Sequence, residues 1–235
     1  MKYKSFLIAI FLMKNICSYG QTITPGTELQ ELVKIADVFN SIPYLSFDIY
    51  YEFADTLTPN DLVDSSSVNC KISRGRIFMS NSAMEVLQGV EYNVYVDKED
   101  SLIMASPAMA NKSIFQLPMM DTNFMAAHVS GMHIDELNDS LWILNAFFNP
   151  GSQYLKYEMT YNPQNGSVKK VEYFSRNEMG DHDIPADHIV SVKILITNYS
   201  AAPADPVVFN ENRYIYKLNG SLYLQPAWQQ FQLYN

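Results

Sequence analysis

The chain has 235 residues, a formal net charge of −9 and only 17% charged residues. An acidic protein repels nucleic acid and anionic membrane surfaces, which argues against partners reached by non-specific electrostatics. Two cysteines, Cys17 and Cys70, are too few for a disulfide framework, so stability must come from a sizeable core.

Lys2 and Lys4 precede an apolar run, Phe6–Met13, and Ser18-Tyr19-Gly20 follows it. That order is the layout of a secretory signal peptide, with cleavage between Gly20 and Gln21. The run is eight residues long, and a spanning helix needs about 20. Nothing else in the chain is long and apolar enough to cross a bilayer. Residues 1–20 therefore read as a signal peptide and 21–235 as one exported domain, in the periplasm of a bacterial envelope. Lys14, Asn15 and Ile16 fit lipid attachment at Cys17 poorly, which favours a soluble product. The three lysines lost with residues 1–20 take the charge from −9 to −12. Cys70 lies in an alternating run and reads as a buried, inert thiol.

Leu29, Leu32, Val33, Ala36 and Phe39 recur at helical spacing, which predicts an amphipathic helix over 28–41, ended by Pro43. The period then switches to two. Leu45, Phe47, Ile49, Tyr51 and Phe53 alternate with polar residues and tyrosines across 44–53, a half-buried strand. Residues 54–66 read as a polar loop. Strands follow at about 68–73, 76–80, 83–88, 91–97 and 101–106, separated by turns such as Arg74-Gly75 and Lys98-Glu99-Asp100. Such short spacings mean hairpins in an antiparallel sheet.

Residues 107–137 break the alternation and predict short helices or a structured loop, with one helix near 122–130. Strands resume at 141–148, 153–161, 167–175 and 188–199. A last hairpin, 212–218 and 221–225, turns through Asn219-Gly220 as type I′. The sum is a mostly β chain with some α (α+β): a curved antiparallel sheet or unclosed β-barrel of about eleven strands. An N-terminal helix and short helices cover its concave face.

The usual catalytic signatures are missing together: no metalloprotease helix, no nucleophile elbow, no glycine-rich phosphate loop. Asp181, His182, Asp183 and His188 are the densest set of metal-capable side chains, with Asp187 beside them. They sit in a polar connection, and a solvated loop is the preferred reading. No cofactor is expected. Six of the ten methionines after Gly20 lie in 104–132. Flexible thioethers suit a wall that adapts to apolar ligands, and they also serve as ordinary core fillers.

The order of elements resembles a known family. It carries one helix, then Tyr44–Phe53, then Arg74-Gly75-Arg76-Ile77-Phe78, then Tyr92-Asn93-Val94-Tyr95-Val96-Asp97, and later Tyr161-Asn162-Pro163 through Gly166. This resembles the LolA-like family of lipoprotein carriers and lipoprotein-sorting relatives. The resemblance implies a non-enzymatic binder of lipid or lipoprotein acyl chains, with a hydrophobic cavity in a curved sheet and envelope membrane proteins as candidate partners. Phe47, Ile49, Tyr51, Phe78, Val94 and Val96 would line that cavity, with Met104, Met119, Met120 and Met125 near its mouth. Met79 follows Phe78 where the carriers have an arginine tied to ligand handover, and 212–235 extends beyond a simple carrier. Acyl-chain binding is thus the expectation, more than lipoprotein transfer itself. The alternative is an envelope interaction module, favoured by Tyr44, Tyr50 and Tyr95 on strand faces opposite the presumed core.

Overall fold

The computed structural model describes residues 27–108, 122–177 and 184–235. The signal-peptide reading of 1–20 lies outside them. No described helix is long and apolar enough to cross a membrane.

Helix α1 spans Thr27–Ser41 and buries Leu32 and Ile35 completely or nearly so, at 0% and 1% exposure. Val33, counted on the apolar face from spacing, is 41% exposed instead. The stripe runs through Leu32, Ile35 and the half-buried Ala36, steps of three and one that keep it on one side of the helix.

The described strands follow in chain order. They are β1 (Tyr44–Asp55), β2 (Leu62–Ser73), β3 (Arg76–Ser80), β4 (Met84–Gln88), β5 (Tyr92–Asp97) and β6 (Leu102–Pro107). After the short helix α2 (Thr122–His128) come β7 (Val129–Asn138), β8 (Leu141–Phe148), β9 (Tyr154–Tyr161), β10 (Val168–Arg176) and β11 (Ile189–Ser200). The C-terminal segment adds β12 (Ile215–Leu218), β13 (Ser221–Leu224) and β14 (Gln232–Tyr234).

Twelve strands form one sheet in the order β14-β6-β5-β4-β3-β2-β1-β11-β10-β9-β8-β7, and β12 pairs only with β13. β14 and β7 end the order without pairing to each other, so the sheet is open, as expected of an unclosed mostly β fold. The ladders from β2 to β6 and from β7 to β11 are antiparallel. β14 runs parallel to β6.

Two elements differ from the sequence reading, whereas β11 matches it to within one residue at each end. β2 begins at Leu62, inside the stretch read as a loop, because its first half is Leu-Val-Asp-Ser-Ser-Ser with mostly exposed or half-buried side chains. β7 occupies 129–138, where a helix or loop was expected. It is the sheet's last strand and mostly exposed, so no hydrophobic alternation marks it. The twelve-residue β11 continues to Ser200 through a left-handed Asn198, φ 55°.

The chain gathers into two compact units. One holds most of α1, the second half of β1, α2, β7–β10 and most of β11. The other holds the start of β1, the end of β2, β3–β6 and the segment from Thr197 onward.

In the second unit, one sheet face carries Phe78, Leu87, Val94, Val96, Ile103 and Ala105. The C-terminal segment packs on it with Phe209, Tyr214 and Ile215, and with Trp228, Phe231 and Leu233 at the margin. Glu211 fixes this segment to the β4–β5 turn, accepting from the backbone N–H groups of Val90 (3.0 Å) and Glu91 (2.8 Å). Gly89 makes that approach possible. A Cβ there would lie 2.5 Å from the carbonyl oxygen of Tyr92 and collide with the Glu211 carboxylate.

Gly89→Ala is therefore expected to lower stability by about 1–3 kcal/mol through forced overpacking. The check is the urea midpoint, and an unchanged midpoint would show that the C-terminal segment does not depend on this contact.

Candidate functional site

Strand alternation gives the first unit two chemically opposite faces. On one face, Glu52 of β1, Lys193 of β11, Glu172 and Lys170 of β10, and Glu158 and Lys156 of β9 form a ladder of alternating charge. Lys193 lies 2.6 Å from Glu52, Lys170 is 2.9 Å from Glu172, and Lys156 pairs with Glu158. Pairs this accessible are worth about 0–1 kcal/mol each, so the ladder marks a wetted face more than a source of stability.

The other face is apolar and rich in tyrosine. Tyr51, Tyr154, Tyr157, Tyr161 and Tyr173 all fall on it. The register fixes this: Tyr173 pairs with Tyr157 on β9 and with Val192 on β11, and Ser175 pairs with Tyr154. Tyr51, Phe53, Tyr173, Val190 and Val192 pack together. Leu144 and Ala146 of β8 and Met159 of β9 are fully buried on the same face.

Helix α2 contributes Met125, 1% exposed, and Phe124, whose ring lies 6.2 Å from Phe148 and 6.4 Å from Tyr154. Tyr154 in turn meets Tyr173 edge to face at 6.0 Å, and Trp142 meets Tyr161 at 6.4 Å. Loss of water on this face raises the phenol pKa values. Burial pushes Tyr154 up to about 12 and, with the negative charges of Glu31 and Glu136 adding, Tyr161 to about 12. Tyr157 and Tyr173 are pushed up by the same burial. These phenols stay neutral and can donate hydrogen bonds, and they are not bases.

The expected lining residues are distributed over more than one surface. Asn69 donates to Asp48 at 2.8 Å, so the two side chains share a side of the sheet. Phe78 is on that side, since the β2–β3 register pairs it with Lys71, two residues along from Asn69. Phe47 and Ile49 flank Asp48 and point to the opposite side. Within the second unit, then, Phe47 and Ile49 are not brought together with Phe78, Val94 and Val96. The latter three lie under the C-terminal segment described above. Met104 pairs with Tyr95, on the side of Phe47, and is 42% exposed. Tyr51 and Met125 belong to the tyrosine-rich face of the first unit. Met119 and Met120 lie outside the described residues.

Of the tyrosines expected on the outside, Tyr50 is exposed at 37%, whereas Tyr44 is half-buried with the Arg74 guanidinium 5.8 Å from its ring. Tyr95 is also half-buried, and burial together with Asp97 pushes its phenol up to about 12. Cys70 is fully buried, and burial pushes its thiol up to about 12.

Asp181, His182 and Asp183 lie outside the described residues. His188 is described, and its Nδ1 sits 2.5 Å from Asp55 Oδ2. The Leu57 backbone N–H and this imidazole hold the Asp55 carboxyl below its ordinary range. Among the described residues, no three His, Cys, Asp or Glu side chains converge as a metal site would require.

No family model matches the chain, and no curated protein matches it. Solved structures do. An uncharacterized conserved protein from Thermus thermophilus is similar over 76% of this chain and 90% of its own, at 6% identity and a TM-score of 0.43. The lipoprotein LppX from Mycobacterium tuberculosis covers 77% of this chain and 99% of its own, at 8% identity and a TM-score of 0.39. A LolA superfamily protein from Nitrosomonas europaea covers 78% and 98%, at 10% identity and a TM-score of 0.33.

One half-buried charge in the second unit gives a pH-dependent expectation. Burial disfavours ionised Glu85, but the Tyr214 hydroxyl donates to it, Lys98 sits at 2.9 Å and Arg213 at 3.8 Å. The balance lowers its pKa. Stability from this carboxylate is therefore present above the ordinary glutamate range and lost as pH falls through the lowered value. Glu85→Gln should cost about 1–3 kcal/mol at pH 7 and lose less on acidification than the parent. Urea midpoints measured from pH 7 down to pH 3 decide it. Parallel curves for the two proteins would contradict it.

Proposed function

We propose that this chain is an exported, non-enzymatic binder or carrier of acyl chains. The observation that supports it is the apolar face of the first unit. There, tyrosines and methionines stand among the branched aliphatics Val190, Val192 and Leu144 that usually fill a sheet core. Tyrosines, Met125 and Met159 make a surface that is apolar in body, adaptable in shape and polar only at a few tips. That chemistry suits a hydrocarbon chain carrying a polar link. The LolA-like resemblance points toward the same ligand class, with lipid or lipid-anchored cargo in the periplasm. Tyr51 and Met125, which belong to that face, are the proposed apolar contacts among the expected lining residues. Phe78, Val94 and Val96 serve the reading less well, because the C-terminal segment packs on them.

A second reading has its own observation. The β12–β13 hairpin stacks Tyr216 on Tyr223 at 5.6 Å, both exposed, beside a shallow groove of about 450 Å³ that Gln229 and Asn235 also line. This is a surface suited to contact with another envelope component.

Native mass spectrometry on the chain from Gln21 to Asn235, purified from its own envelope without detergent, separates the two. Adducts of lipid or lipopeptide mass that strip off on activation are the expected result. A bare mass, unchanged after incubation with phospholipid, would favour the interaction module.

A further inference from the structure

Two tyrosines on the apolar face are in an energetically unusual position. Tyr157 and Tyr161 are both 0% exposed, and neither hydroxyl has a hydrogen-bond partner among the described residues. They stand on the same face of β9, separated by the fully buried Met159. Leaving a buried hydroxyl unpaired costs about 1–3 kcal/mol, and phenylalanine would fill the same space without that penalty. Buried tyrosines ordinarily find a partner. The register places Tyr157 beside Ala146 and Tyr173, and Tyr161 beside Trp142 and Val168; the Glu31 and Glu136 charges act on Tyr161, but neither carboxylate accepts from its hydroxyl.

We infer that the Tyr157 and Tyr161 hydroxyls are hydrogen-bond donors for carbonyl oxygens of a bound acyl ester. This deepens the acyl-chain reading and rests on it. A plain hydrocarbon would leave both donors as they are. An ester carbonyl drawn in with its chain satisfies a donor that no side chain satisfies, and binding recovers the penalty stored in the unliganded protein. Both phenols are held neutral by burial, so each has its proton to donate. Met159 lies between them and can rearrange around an entering chain at little cost.

The test compares two probes, dioleoyl phosphatidylglycerol and its ether-linked counterpart, which has the same chains and head group but no carbonyls. Binding to the chain from Gln21 onward, and to Tyr157→Phe and Tyr161→Phe, is measured by titration, with urea midpoints of each unliganded protein. The expected result is about tenfold tighter binding of the ester lipid by the parent, lost in one or both variants. Unliganded midpoints of the variants should be equal or higher, since a group without a partner is removed. Equal affinity for ester and ether lipids, or an ester preference kept by both variants, overturns the tyrosine assignment and leaves the carrier reading standing. A lowered midpoint with the preference intact overturns it too, because the hydroxyls are then structural. Failure of the parent to bind either lipid overturns the carrier reading itself.

Discussion

Each strand of an antiparallel ladder sends alternate side chains to opposite faces, so every face must be covered by apolar matter or made polar enough to meet water. The two units satisfy this constraint differently. In the second unit, the C-terminal segment covers one face; Glu211 and Tyr214 fasten it, and Trp228 braces it from within by donating to the Arg213 carbonyl. Phe47, Cys70, Ile77 and Val86 are buried on the opposite face. In the first unit, a lysine–glutamate ladder meets solvent on one face and the other is apolar. Among the described residues, only that last face combines adaptable side chains with tyrosine donors that have nothing to bond.

This explains why tyrosine matters here. A phenol brings as much apolar area as phenylalanine and adds one polar tip. Where the tip has a partner, as Tyr214 has in Glu85, the residue closes a core. Where it has none, as with Tyr157 and Tyr161, the residue is held at a disadvantage that a ligand oxygen can remove. The same residue type thus separates a finished interior from one suited to receive something.

Much of the local structure was legible in the sequence. The alternation in 44–53 is β1, and Asn219-Gly220 turns with φ of 51° and 86°, both positive as a type I′ turn requires. Arg74-Gly75 likewise turns β2 into β3, at 49° and 79°. What was not legible depends on partners distant in the chain. β7 carries no alternation because an edge strand buries little, and β14 exists only because its backbone lies alongside β6. That the C-terminal segment packs on Phe78, Val94 and Val96 was not legible either, because periodicity shows that a face is apolar, and not what covers it. The tyrosines of β9 and β10 were visible as letters. Their convergence on one face needed the register, including the β10 irregularity between Val168 and Lys170.

The proposed site for acyl chains is the tyrosine-rich face of the first unit. The chain's two tryptophans allow a direct measurement, because Trp142 adjoins Tyr161 on that face and Trp228 packs in the second unit against Tyr214 and Phe231. Two single-tryptophan proteins, Trp228→Phe and Trp142→Phe, would be titrated with a phospholipid brominated along its acyl chains, and emission followed. The account predicts strong quenching of Trp142 and little of Trp228. Quenching of Trp228 alone, or of neither, would contradict it.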